Sequence, residues 1–164
     1  MDRLTIAFAL VFLVAPPSQG EQIDSAREAH CIENSSRYNQ IPALLLRSIR
    51  LQEGGRVGGW SFNLDGSIDS GVMQINSRWL PLLERRGYSA AVLTYDGCAC
   101  IAAGAWILAQ ALERYGVWNR GNIDGRVYWR AIGDYHSHTP SLNNDYAQQI
   151  WARYLRLAAT GGAP

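Results

Sequence analysis

The sequence predicts a mainly α, α+β fold: a single domain of long helices with a small β hairpin region. Apolar residues recur at helical spacing through most of the chain, whereas residues 56–71 are rich in Gly, Asn, Asp and Ser with short apolar alternation. No Pro- or Ser-rich linker divides the chain and no internal repeat is present. With 164 residues, 48% of them hydrophobic, it is long enough to bury a core and too apolar for a disordered protein. The 15 Lys+Arg against 14 Asp+Glu leave a net charge of +1, and no charge run is present. That balance gives no electrostatic case for nucleic acid or an anionic membrane surface as partner.

Residues 1–20 stand apart. Arg3 and the amino terminus form a thin positive region, and Leu4 to Ala15 is apolar except for Thr5. Pro16 and Pro17 end the run, and Ser18-Gln19-Gly20 supplies small residues before a cut. This is the pattern of a secretory signal peptide, too short for a membrane span, with no Cys near the cut to carry a lipid. The expectation is an exported domain over 21–159, without a membrane anchor after cleavage, and a flexible tail over 160–164.

The elements follow in order. Asp24 or Ser25 is placed to cap a first helix to about Tyr38, and Pro42 opens a second that Gly54-Gly55 stops near Glu53. Asp65-Gly66 marks a hairpin turn, and a short helix is expected over about 79–86. Asp96 caps a long helix from about Cys98 to Tyr115, with Ile101, Ala105, Leu108, Leu112 and Tyr115 at helical spacing. Gly104 and Ala103 permit close approach of a neighbour, so this helix is expected at the centre. Residues 117–126 are expected as loop. Further helices are expected from about Val127 to Tyr135 and after Thr139-Pro140, the last carrying Tyr146, Ile150 and Tyr154 on one face.

The chain has three cysteines, Cys31, Cys98 and Cys100. Export permits a disulfide. Cys98 and Cys100 are too close to pair comfortably, so Cys31 bridges to one of them, and the residues alone leave both options open. No set of ligands at metal spacing points to zinc, and no cofactor is called for.

Glu53 is the sharpest single residue. Leu45, Ile49 and Glu53 share one helical face, so a carboxyl continues an apolar stripe at a helix C-terminus. Both the helix dipole and partial burial disfavour its charge and favour a proton-carrying acid near neutral pH. On helix position alone, an exposed helix-end glutamate reaching for water is the commoner case. The stretch Asn63 to Trp79 changes that weighting. It sets Asp65, Asp69, Ser70, Gln74 and Asn76 on a Gly-punctuated loop followed by an aromatic. Carboxylates, amides and hydroxyls beside a stacking face are the groups that grip a sugar. Taken alone, Asp65-Gly66 is also an ordinary turn.

These residues resemble the lysozyme superfamily. Glu53 followed by Gly71-Val72-Met73-Gln74-Ile75 is similar to the glutamate and G-(L/V)-M-Q motifs of family 23 lytic transglycosylases. Ala131-Ile132-Gly133-Asp134-Tyr135-His136-Ser137 resembles the third motif of the branch associated with type III and type IV secretion, conjugation and type IV pili. Tyr146 falls where that family places a tyrosine near the acid. Cys31, Asp96-Gly97-Cys98 and Gly104-Ala105-Trp106-Ile107-Leu108 also resemble that branch, which points to Cys31–Cys98 as the disulfide and leaves Cys100 extra. The likeness spans about residues 29–155. One departure stands beside the acid, where Gly54 replaces the usual serine; another is Tyr-His-Ser in the third motif, where many members have Ala-Tyr-Asn.

The resemblance implies a lysozyme-like fold and peptidoglycan glycan strands as substrate. Glu53 would be the catalytic acid and base, forming 1,6-anhydro-muramic ends without a cofactor or a second carboxylate. Asp69, Ser70, Met73, Gln74, Asn76, Tyr135, His136 and Tyr146 would form the substrate-binding set. It further implies a periplasmic protein that opens the wall for a secretion, conjugation or pilus machine, the particular machine being unspecified. The rival is a hydrolytic lysozyme, because Asp69 also falls at the second carboxylate of animal lysozymes; a loop-shaping role for Asp69 is preferred. A third class is a non-catalytic glycan-binding module.

The remaining residues leave alternatives. Gln74 orients a substrate acetamido group or is a buried structural amide. Met73 is core or cleft floor. Tyr135 and Tyr146 bracket Glu53 or pack. His136 and His138 near Asp134 are better read as helix-capping residues than as a metal set. Trp60 and Trp79 are candidate sugar platforms, with core packing as the default.

Overall fold

The computed structural model describes residues 21–118 and 124–161; the expected signal peptide over 1–20 lies outside them. The described residues form seven α-helices and one small antiparallel sheet. In chain order these are α1 (Ser25–Asn39), α2 (Ala43–Glu53), β1 (Trp60–Phe62), β2 (Ile68–Ser70), β3 (Ile75–Asn76), α3 (Leu80–Leu83), α4 (Ala90–Tyr95), α5 (Gly97–Arg114), α6 (Gly125–Gly133) and α7 (Pro140–Ala159). The mainly helical expectation holds, and the β region is larger than a hairpin by one strand.

The caps explain the boundaries. Asp24 accepts from the Arg27 amide at 2.9 Å and starts α1; Asp96 accepts from the Cys98 and Ala99 amides at 2.9 and 3.1 Å and starts α5. Pro42 stands just before α2 and so lacks no helical donor. Asp124 caps α6 two residues earlier than expected, and of the expected 117–126 loop residues 119–123 lie outside the described ones. Helix α4 was not expected. Its Ser89 cap was readable, but six residues are too few to show a period. The helix expected over 79–86 divides into α3 flanked by 3₁₀ turns, Ser77–Trp79 and Glu84–Arg86. At the far end, Thr160 and Gly161 of the expected tail donate to the Arg156 and Ala158 carbonyls and close α7.

Helix α5 is the axis. Ile101, Ala103, Gly104, Ala105, Ile107, Leu108 and Leu112 are buried along it. Helices α1, α4 and α6 pack on it, and α2 packs on α7 and α1. Leu45, Leu46, Ile49, Met73, Ile132 and Ile150 complete the core. Side-chain links hold α2 to both neighbours. Buried Arg50 pairs with Glu28 of α1 at 2.9 Å, and Gln52 meets Gln149 and Arg153 of α7 at 2.6 and 3.1 Å.

Cys31 of α1 is bonded to Cys98 of α5, a sequence separation of 67. A loop of that size adds about 4 kcal/mol on the chain-entropy account, and such a bond fits an oxidising compartment. Cys100 is the free, buried thiol. No described helix is long and apolar enough to cross a membrane.

In the sheet, Ser61 pairs with Asp69 and Asp69 with Asn76; Trp60 pairs with Ser70, Ser70 with Ile75, and Phe62 with Ile68. Strand pleating puts Ser61, Asp69 and Asn76 on one face, and Trp60, Phe62, Ser70 and Ile75 on the other.

Candidate active site

Glu53 is the last residue of α2, and Gly54 follows in the left-handed conformation, φ 62°, which ends the helix. A serine at position 54 would be strained at that φ, so the glycine that departs from the usual pattern suits this turn. The Glu53 side chain opens into a cleft of about 300 Å³ lined by Gln52, His136, Leu142, Asp145, Tyr146 and Gln149. Its Oε1 accepts a hydrogen bond from the Tyr146 hydroxyl of α7.

The Glu53 carboxyl is raised from 4.5 to about 7. Burial is the main cause; the Tyr146 hydrogen bond opposes it, and the nearby Asp69 carboxylate adds to it. Glu53 therefore holds a proton near neutrality, as an acid that must also return as a base requires.

Tyr146 is only 5% exposed. Its ring stacks on His136 with centroids 5.0 Å apart, and on Tyr135 at 6.3 Å. Burial and the Glu53 carboxylate push the Tyr146 phenol well up, so it remains a donor. Tyr135 donates to the Met73 carbonyl at 3.0 Å and thereby joins the third motif to the second. The turn carrying His136 is held by buried Asn143, whose Nδ2 donates to the Asp134 carboxylate at 2.7 Å and to the Arg130 and Ser137 carbonyls. His138 pairs with the same Asp134 at 3.1 Å.

The second half of the site is polar. Asp69 accepts from Asn63 at 2.9 Å and from Asn76 at 2.8 Å, one amide to each oxygen. Asn76 also reaches Ser67 at 2.9 Å, and Asp65 accepts from the Ser67 amide and hydroxyl at 2.9 and 2.6 Å. Gln74 sits at φ 47°, one of two described non-glycine residues with positive φ. Its Nε2 donates to the Gly71 carbonyl at 2.9 Å and its Oε1 accepts from Ser61 at 3.2 Å. A side chain held in a sparsely populated backbone region and fixed at both ends marks a place where the fold imposes geometry.

The loop is seated on α5. Gly71 has φ 68°, and a Cβ there would strike the Leu93 carbonyl and lie 2.8 Å from the Cys100 sulfur. Cys100 Sγ accepts from the Met73 amide at 3.4 Å and donates to the Ser70 carbonyl at 3.7 Å. Burial pushes this thiol up to about 11, so it remains an S–H that braces the loop.

The expected site residues thus separate. Glu53, Tyr146 and His136 meet at the cleft, with Tyr135 behind them. Asp69, Gln74 and Asn76 lie together on the polar loop and do not line that cleft, though the Asp69 carboxylate is near enough to act on Glu53. Met73 has no exposure and packs against Gly104, so it supports the loop from the core. Ser70 lies on the other sheet face from Asp69, beside Trp60, because adjacent strand residues point oppositely. Trp60 and Phe62 pack edge to face at 4.9 Å on that face, away from Asp69. Sequence reasoning missed Leu142, Asp145 and Gln149, which share the Tyr146 face of α7 at helical spacing; taking Tyr146 as an anchor would have found them.

No protein-family model matches the chain. Whole-protein comparison is informative. The chain is 33% identical over 134 residues to the invasion protein IagB of Salmonella typhimurium, covering 79% of this chain and 78% of the relative. It is 33% identical over 136 residues to the protein IpgF of Shigella flexneri, covering 80% and 83%. It is 33% identical over 141 residues to the X polypeptide of Escherichia coli, covering 82% and 78%. The chain belongs to this family, the secretion- and conjugation-associated lytic transglycosylases. Cys100 fills the contact between α5 and the Gly71–Gln74 loop.

Proposed function

We propose that the protein is a peptidoglycan lytic transglycosylase and that Glu53 is its one acid and base. The observation carrying this is the Glu53 carboxyl itself, raised to about 7 and hydrogen-bonded by Tyr146 inside the cleft, in a chain of this family. The protonated carboxyl gives its proton to the oxygen bridging N-acetylmuramic acid and N-acetylglucosamine. The substrate's own acetamido oxygen stabilises the cationic anomeric carbon. Glu53, now a carboxylate, takes the proton of the muramic C6 hydroxyl as that oxygen closes onto C1. A 1,6-anhydro end forms, no water is consumed, and the carboxyl is protonated again.

Tyr146 holds the carboxyl in place, and its hydrogen bond favours the carboxylate generated in the first step. Gln74 has a second amide hydrogen beyond its bond to Gly71, suited to an acetamido carbonyl. Asp69 is read as shaping the loop, held by two amides, and the chemistry proposed here asks no second carboxylate of it. Residues 1–20 direct export, and the Cys31–Cys98 bond suits the periplasm. The protein opens the wall locally for a secretion, conjugation or pilus assembly.

The test is mass spectrometry of muropeptides released from purified sacculi, with Glu53→Gln as control. Anhydro-muramic ends that depend on Glu53 are expected. Reducing muramic ends would make the protein a hydrolase and bring Asp69 into the chemistry.

A further inference from the structure

Asn143 stands three residues before Tyr146 on α7, on the same helical face, and is 2% exposed. Its Nδ2 faces three acceptors of the segment that ends α6 and turns toward α7: the Asp134 carboxylate at 2.7 Å, the Arg130 carbonyl at 3.0 Å and the Ser137 carbonyl at 3.2 Å. Its Oδ1 has no hydrogen-bond partner, the one such buried side-chain atom among the described residues. An unpaired buried oxygen is unfavourable, and an apolar side chain of similar size would avoid it. The residue is therefore explained by its two N–H donors, which an apolar replacement would withdraw from all three acceptors. The fit is also tight. A Cβ on Gly133 would strike the Asn143 Oδ1 and lie 2.5 Å from the Asn143 backbone oxygen.

The clamped turn carries Tyr135 and His136, and both rings stack on Tyr146, with interplanar angles of 17° and 8°. Tyr146 donates to Glu53, and His136 lines the cleft into which Glu53 opens. Tyr135 has a second tie, to the Met73 carbonyl, so His136 is the ring that depends most on the clamp. We propose that Asn143 is a positioning residue for the acid: it holds the Asp134–Ser137 turn on α7 so that the His136 ring covers Tyr146 and limits water at the Glu53 carboxyl. The inference rests on the assignment of Glu53 above. Asn143 does not line the cleft and acts only through the rings. The burial that this cover maintains is the largest cause holding the Glu53 carboxyl at about 7.

The experiment follows release of anhydro ends from purified sacculi across pH for the mature protein and its variants. Asn143→Ala is expected to reduce the rate about tenfold and to move its falling limb about one pH unit below that of the parent, because water reaching Glu53 favours the carboxylate. Loss of the Tyr146 hydroxyl acts in the opposite direction, since that hydrogen bond lowers the Glu53 value. The ionisable neighbours of Glu53 are Tyr146, His136 and Asp145 around the cleft and the Asp69 carboxylate. Asn143→Ala alters none of them, so the shift reports access of water. His136→Ala, at an exposed position, is expected to move the limb the same way, and the double variant no further than Asn143→Ala alone. Asn143→Ser keeps one donor and should shift the limb by less; it serves if the alanine variant does not fold. A uniform drop in rate with the limb in place is what a purely structural residue gives, and it overturns the proposal. An unmoved limb in His136→Ala, or additive shifts in the double variant, overturns it as well. Turnover that persists in Glu53→Gln removes the acid assignment itself, a result separate from all of these.

Discussion

Glu53 and Asp69 are both half-buried carboxyls bordering one site, and their surroundings are opposite in kind. Glu53 ends a helix, continues an apolar stripe and receives its hydrogen bond from Tyr146. Asp69 lies within a strand and receives a side-chain amide on each oxygen. Desolvation dominates at the first and lifts the carboxyl to about 7. At the second, donors from Asn63 and Asn76 hold the carboxylate in one orientation. The comparison teaches that residue type does not assign the role. The helical frame supplies a dry socket for a mobile proton, and the β loop supplies a fixed polar wall.

Exchanging each carboxyl for its amide breaks the comparison most sharply. Glu53→Gln is expected to slow release of anhydro ends by about a hundredfold or more, the scale of a lost general acid. Asp69→Asn is expected to cost about tenfold or less, through a loosened loop. Both are read from the time course of muropeptide release. Equal losses would return Asp69 to the chemistry.

The pH profile sharpens it next. Turnover needs protonated Glu53, so the rate should fall as pH rises through about 7. The Tyr146 hydrogen bond lowers the Glu53 value, so Tyr146→Phe should move that falling limb upward while reducing kcat about tenfold. A limb that stays in place would show that Tyr146 does not act on the acid.

The smallest effect concerns stability. The folded-state value of Glu53, about 7, lies above its ordinary 4.5, so the folded protein holds this proton more tightly than the unfolded chain. Its contribution is fully present below about 4.5 and is lost as pH rises through about 7. Glu53→Gln has no charge to bury, and should exceed the parent by on the order of 2–3 kcal/mol near pH 8, with little difference near pH 4. Thermal unfolding at the two pH values measures this. Destabilisation by Glu53→Gln near pH 8 would contradict the dry socket.

Much of this frame is legible in the chain. The Asp24 and Asp96 caps, the Gly54 stop and the run from Ile101 to Leu112 are local signals, because a helix of several turns repeats its period and its end groups need partners close in sequence. Helix α4 and strand β3 were hidden because six and two residues carry no period. The family resemblance groups Ser70 and Met73 with Asp69, but strand alternation turns Ser70 to the other face of the sheet and Met73 is buried.

The sequence by itself determined a helical domain with one polar β loop, placed Glu53 on an apolar stripe at a helix end, and limited the disulfide to Cys31 with one of two partners. The family resemblance pointed to Cys98 and to Tyr146 near the acid; only the tertiary structure put the Tyr146 hydroxyl on Glu53 and tied Asp69 between two amides. It also placed Arg86 on Trp106 beside Trp79. The division has a physical reason. Capping and periodicity act within a few residues, whereas desolvation and stacking depend on which helices pack together, and no short stretch of sequence contains that information.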